Sequence, residues 1–187
     1  MHNFSGEFAQ ELDTGKVIIN YVLGKKNGVT KFLDRHGIVL SEINYKDDLI
    51  DGDVKQYYQS GNILSIITYR AGIQHGPFIS YYENGMKQME SFYSNGKSEG
   101  EIVVFDVFGD IMSETQYHGG LKNGASILNY PKSQGGKVFE TSRYEDGNLV
   151  GDKIQYYNTG EVMSITPYIK GKAQAYPRNF DKNGNEI

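Results

Sequence analysis

The sequence predicts an all-β protein, an elongated single-layer antiparallel β-meander of about eight hairpin units with a period of 24 residues. Three observations predict it. Glycines recur at fixed spacings, tyrosines recur with the same period, and the glycines come too often for helices of ordinary length. Gly28, Gly52, Gly76, Gly100 and Gly124 are each 24 residues apart, and Gly37, Gly61, Gly85 and Gly109 lie nine residues beyond the first four. Tyr21, Tyr45, Tyr69, Tyr93 and Tyr117 form a third column. A last glycine column follows the tyrosines by three residues, at Gly24, Gly72, Gly96, Gly120, Gly147 and Gly171, with Asp48 as the exception.

The period slips by three residues at "PKSQGG" (131–136) and resumes with Tyr144, Gly151, Gly160, Tyr168 and Gly184. The expected organisation is therefore one array over residues 1–187. Its units open near residues 6, 28, 52, 76, 100, 124, 151 and 175, with an insertion at 131–136.

The elements follow in order from one unit, "GPFISYYENGMKQMESFYSNGKSEG" (76–100). Residues 77–82 are β-formers. "ENG" then supplies an Asn-Gly turn of the kind that permits positive φ in a hairpin. Residues 86–93 form the return strand ending at Tyr93, and "SNGKSEG" is the next turn. Strands about 4.8 Å apart, two to a unit, would make a rod or ribbon roughly 75 Å long. Acids in the first unit (Glu7, Glu11, Asp13) and charges in the last (Arg178, Asp181, Lys182, Glu186) would discourage end-to-end pairing.

Columns also predict orientation. Leu33, Tyr57, Tyr81, Phe105, Asn129, Tyr156 and Phe180 share one position, almost always large and apolar, and are expected in the core. One residue later come Asp34, Tyr58, Tyr82, Asp106, Tyr130, Tyr157 and Asp181. A mixture of Asp and Tyr does not suit a dry interior, so this column is expected to face solvent on the other side of the strand. The seven-fold tyrosine column from Tyr21 to Tyr168 reads as a structural ladder with its hydroxyls bonded near turns.

These units resemble MORN repeats, in the variant form with a 24-residue period. "GDVKQYYQSGNILSIITYRAGIQHG" and the unit quoted above carry that pattern of Tyr-Tyr, turn glycine, Tyr-x-x-Gly and closing glycine over almost the whole chain. Bacterial proteins built from this variant are similar to YwqK-type antitoxins of toxin–antitoxin systems. The resemblance implies a cytoplasmic, non-catalytic antitoxin or immunity protein (periplasmic if an export signal has been removed). Its partner would be a toxin or effector encoded by a neighbouring gene. It also implies two alternatives, a membrane-associated or scaffolding role, and binding of glycan or cell-wall material through exposed tyrosines. The absence of Trp and the insertion depart from the standard pattern.

Composition narrows the partner. With 19 Lys and Arg against 23 acids the net charge is −4, which argues against nucleic acid and anionic lipid. With no cysteine there is no thiolate chemistry and no disulfide. His2, His36, His75 and His118 occupy different repeat positions, without the close pairing of zinc ligands. "NGKS" (95–98) lacks the first glycine of a P-loop, because residue 91 is Ser91. No catalytic residue, metal or cofactor is expected.

The candidate partner-binding residues are Tyr58, Tyr82, Tyr130 and Tyr157, with Asp34 and Asp106 from the same column. Tyrosine gives large contact area at low entropy cost. The competing reading is that half-buried strand tyrosines only cover the sheet. The insertion is a second candidate, either a contact loop or a bend.

Overall fold

The computed structural model describes residues 4–187, so His2 lies outside the described residues. Among the described residues seventeen strands form an open antiparallel sheet, and there is no α-helix. The chain divides into two compact units, residues 1–87 with 93–96 and residues 88–92 with 97–187.

The first unit contains β1 (Gly6–Leu12), β2 (Gly15–Val22), β3 (Lys25–Lys26) and β4 (Gly28–Asp34). It continues with β5 (Val39–Lys46), β6 (Leu49–Tyr57), β7 (Ile63–Arg70) and β8 (Ile73–Tyr81). The strand β9 (Lys87–Ser94) is divided between the units. The second unit contains β10 (Lys97–Phe105), β11 (Ile111–His118), β12 (Leu121–Asn129) and β13 (Val138–Glu145). After these come β14 (Asn148–Tyr156), β15 (Val162–Ile169), β16 (Lys172–Ala173) and β17 (Arg178–Asn179).

The glycine and tyrosine columns meet in the sheet register. Gly6 pairs with Tyr21, Gly28 with Tyr45 and Gly52 with Tyr69 in the first unit. In the second unit Gly100 pairs with Tyr117, Gly124 with Tyr144 and Gly151 with Tyr168. Gly52, Gly124 and Gly151 also lie at an irregularity in the pairing with the preceding strand. Asn44, for instance, stands opposite the stretch from Asp51 to Asp53, where the register shifts between Ile43 and Tyr45. Gly52 has φ of 101°, a conformation that L-residues rarely adopt, and a Cβ there would lie 3.3 Å from Cβ of Asn44. The Asn44 amide repairs the interrupted ladder by donating to the Asp53 carbonyl at 2.7 Å, as Asn20 does to Val29 at 2.7 Å.

The same rule accounts for the irregular end of the second unit. The position that holds glycine in the other units is occupied by Ala175, and Pro177 follows with no N–H for the ladder. The strand breaks there into the short β16 and β17.

The two kinds of turn differ from the expectation. The loop "ENG" is a three-residue loop with one left-handed residue, Gly85 at φ 86°, closed by Gly85 N–H to Tyr82 O (2.9 Å) and Tyr82 N–H to Met86 O (2.8 Å). That is the geometry of a type I turn with a glycine bulge. The two-residue turns with both central residues at positive φ are the others. They include Asp47-Asp48 (49° and 69°), Ala71-Gly72 (48° and 82°) and Asn95-Gly96 (49° and 78°). Asp48 fills the glycine position because its carboxylate accepts from the Lys26 N–H at 2.8 Å. The turns are cross-linked along their edge: Gly72 N–H donates to Ile50 O, Gly96 N–H to Gln74 O and Gly120 N–H to Ser98 O, all at 2.7–2.9 Å.

The interior is also not where the large side chains suggest. Among the described residues only two hydrophobic side chains are buried, Val17 and Val54, against nine Ser and Thr. In the first unit the register places Val17, Thr30, Val54, Ser65 and Ser80 on one face, joined by pairs such as Val17–Phe32 and Ser65–Ser80. In the second unit Thr115, Ser126, Ser142 and Ser164 share a face in the same way. Leu33, Tyr57, Tyr81, Phe105, Tyr156 and Phe180, the expected core, are only half-buried. Those in full-length strands lie on the opposite face, where Tyr57 pairs with Ile63 and Tyr156 with Val162.

Small hydroxyls fill the enclosed face because the sheet has no second layer among the described residues. The only side chains that can cover a strand residue there are its neighbours in the same sheet. A short side chain between long ones is covered, and a long one is not.

Candidate functional site

The candidate column is assembled at the wide loops, where the first strand of each hairpin ends. Its tyrosines are not turned freely to solvent. The Tyr58 hydroxyl donates to Tyr81 O at 2.8 Å, Tyr130 to Tyr156 O at 2.8 Å and Tyr157 to Phe180 O at 2.8 Å. All three are half-buried. Each tyrosine therefore clamps the strand end of the following repeat. Tyr82 is half-buried as well, and its backbone closes its own loop through Met86 O and Gly85 N–H.

The aspartates in this column do a different job. One Asp34 oxygen accepts from the N–H groups of His36 (2.8 Å) and Ile38 (2.9 Å). Asp106 accepts likewise from Phe108 (2.9 Å) and Asp110 (3.0 Å), and Asp181 from Asn183 (2.8 Å) and Asn185 (2.9 Å). These are the side-chain-capped turns that Asp favours. The Ile38 N–H holds the carboxyl of Asp34 in its charged form, and the Asn185 side chain, with the Asn185 N–H, does the same for Asp181, so both pKa values are lowered. So Tyr and Asp alternate at one position because they are two solutions to closing it. Tyrosine ties it to the next repeat, and aspartate ties it to its own loop.

The long tyrosine ladder is contacted through its rings. Lys26 lies over Tyr45 at 5.0 Å, Lys122 over Tyr144 at 4.9 Å, and Phe78 meets Tyr93 edge-on at 6.4 Å. On the opposite face, Tyr57 donates to Glu42 at 2.9 Å, and Lys31 sits 3.0 Å from the same carboxylate. Burial, with Glu42 adding to it, pushes the Tyr57 phenol up to about 12.

The insertion neither protrudes freely nor disturbs the hairpin. Its loop is closed by Tyr130 N–H to Lys137 O at 2.8 Å, the same bond that Tyr82 makes to Met86. The extra residues form one 3-10 turn, Lys132–Gln134, followed by Gly135 and Gly136 at positive φ. Two side chains fasten this stretch to the preceding loop. Lys132 Nζ lies 3.0 Å from an Asp110 oxygen, and the Asn129 amide donates to Ile111 O at 3.0 Å. On the other side Lys137 Nζ donates to Thr159 O.

The exposed apolar residues fall elsewhere than the candidate column. Along the two-residue turns lie Leu49, Ile73 and Leu121, each resting near the glycine of the following turn, where a Cβ added at Gly72 would lie 3.8 Å from Leu49 and one at Gly147 3.6 Å from Leu121. At the tip of one wide loop Phe108 is 78% exposed. A column-wise reading of the two residues before each wide-loop glycine finds Phe108, since that pair is Arg-His, Gln-Ser, Glu-Asn, Asn-Thr and Lys-Asn elsewhere and Val-Phe only at 107–108.

With this geometry in place, comparison with known families adds one result. A family model described as the MORN repeat variant matches residues 50–71 and 74–95. These two stretches are neighbouring copies of the unit, and they support a MORN-repeat protein. The turn and clamp geometry described above extends the same unit to both sides of them, from β4 to β15. No curated protein matches the chain.

Proposed function

We propose that the protein is a non-catalytic module that binds another protein, most concretely an antitoxin or immunity protein that neutralises a toxin by covering it. One observation carries the reading: each unit has an uncovered sheet face of half-buried aliphatic and aromatic side chains. Tyr57, Ile63 and Ile66 represent it in the first unit, and Phe105, Ile127, Ile154 and Tyr156 in the second. This face is rich in Tyr and Ile, the residue types that fill the central part of protein interfaces, with Lys31, Glu42 and Lys55 beside them in the first unit and Glu114 in the second. MORN repeats commonly serve as protein- or membrane-binding modules, and the acidic net charge of −4 favours the protein. The candidate column from Asp34 to Tyr157 keeps a supporting role, since it fixes the loops that border this face.

The test is a binding measurement with the protein encoded beside this chain's gene. A stoichiometric complex by calorimetry, together with relief of that protein's growth inhibition on co-expression, is the expected result. If the neighbouring product is harmless alone and gives no binding heat, the antitoxin reading fails.

A further inference from the structure

We infer that Phe108 is a pre-organised anchor that inserts into an apolar pocket of a partner protein; the inference rests on the protein-binding reading above and names a contact residue for it. Three loops share one set of hydrogen bonds, with an Asp accepting from the N–H groups two and four residues on. The middle residue is His36 in one, Asn183 in another and Phe108 in the third. The loop thus forms equally well with a polar residue at that position. Nothing in its backbone geometry calls for a benzyl ring in water, where exposing it forgoes the gain of burying a large aromatic side chain.

A second departure from the repeat falls on the same loop. The insertion at 131–136 occurs in one unit, and its Lys132 and the preceding Asn129 brace Asp110 and Ile111 of the Phe108 loop at 3.0 Å each. These two irregular features are therefore neighbours, and one stiffens the other. A ring held at the tip of a braced loop loses little freedom on binding, which is the property of an interface anchor. Between the two loops a concavity lined by Asp110, Asn129, Tyr130 and Lys132 lies beside the anchor. It suits a hydrogen-bonding protrusion of the partner next to the pocket. Asp106 and Asp110 stand two residues to either side of Phe108 and Lys132 is engaged by Asp110, so an anionic membrane is disfavoured and a protein is the occupant.

The experiment uses the full chain with the product of the neighbouring gene. Phe108→Asn copies the residue of the Asn183 loop, so the melting temperature is expected to stay within about 2 °C, while affinity falls roughly 30-fold or more, the scale of an interface hot spot. With p-benzoylphenylalanine replacing Phe108, irradiation is expected to cross-link that protein, and the same probe replacing Asn183 is not. Unchanged affinity of the Phe108→Asn variant, a melting point lowered by more than about 5 °C, or cross-linking of this chain only to itself each overturns the anchor. If the unsubstituted chain does not bind at all, the protein-binding reading and the anchor fall together. If it binds and the variant binds equally, the anchor alone falls.

Discussion

The phenolic hydroxyl of Tyr58 donates to the backbone carbonyl of Tyr81, 2.8 Å away and 23 residues further along the chain. The same contact joins Tyr157 to Phe180 across 23 residues and Tyr130 to Tyr156 across 26, the three additional residues being the insertion. At these three positions it binds a repeat to its successor through a side chain rather than through the strand ladder alone.

Removing this hydroxyl isolates its worth. Tyr58→Phe keeps the ring and is expected to lower stability by about 0.5–1.5 kcal/mol, as for one neutral hydrogen bond, whereas Tyr58→Ala costs more through lost packing. Urea unfolding of the two variants checks it. A Phe variant as stable as the parent would mean the clamp contributes nothing.

The glycine columns separate into two costs. Gly61 has φ of 85° with open space around a would-be Cβ, so Gly61→Ala pays only for backbone conformation, about 1 kcal/mol. Gly52→Ala adds the 3.3 Å approach to Asn44 and is expected to lose roughly 1–3 kcal/mol. The ranking of their urea midpoints is the readout, and reversed order contradicts the account of the irregular pairing at Gly52.

Ala71 sits at φ 48° in a two-residue turn whose equivalent at residue 95 is asparagine. Ala71→Asn is expected to raise the melting temperature by about 2–4 °C, corresponding to roughly 1 kcal/mol. A thermal scan showing no rise would place the strain elsewhere.

Thr30 is 2% exposed and its hydroxyl makes no hydrogen bond, as is true of the Ser91 hydroxyl. Thr30→Val removes the unpaired group at nearly constant shape, so it is expected to stabilise the fold by about 1 kcal/mol. Calorimetric unfolding that shows a loss instead would indicate that the hydroxyl is satisfied in solution.

Titration should show two limbs. The lowered pKa values of Asp34 and Asp181 arise chiefly from hydrogen bonds made in the folded state, from the Ile38 and Asn185 groups, and that of Glu99 from Gly119 N–H and His118. A carboxyl depressed on folding gives stability that is present above its unfolded pKa, about 4, and lost as pH falls through the folded value. Tyr57 works in the opposite sense. Raised to about 12, it gives stability that is complete below pH about 10 and lost as pH climbs towards 12. Ultraviolet titration of the phenols is expected to show Tyr57 ionising late, and Tyr57→Phe should remove that component.

The fold was legible because the constraints that set it are residue-specific and periodic. A side chain at Gly52 would crowd Asn44, and Gly85 closes a loop in a left-handed conformation, so both write themselves into the sequence at most repeats. What stayed hidden depends on reach. Nothing in the letters of "YYENG" says that the first tyrosine lies on an uncovered face, or that a second one, as Tyr58 shows, spans to the next repeat. Asp and Tyr at one position point in sequence to a solvent-facing column, because their common task appears only when hydrogen bonds are traced. The two turn types were exchanged for a similar reason. Asn-Gly occurs in both "ENG" and "SNG", and the number of residues inside the closing pair, three between Tyr82 and Met86, decides which turn forms.

The clamp from Tyr130 to Tyr156 still finds its carbonyl although three residues have been added between them. Contact is measured across the sheet and not along the chain, and each clamp looks no further than one repeat ahead. A duplication or loss of one whole unit by unequal recombination would leave every remaining clamp with a partner, and a short insertion at a wide loop would be absorbed. The length of the array is therefore free to drift in descent, while the loop tips diversify independently of it.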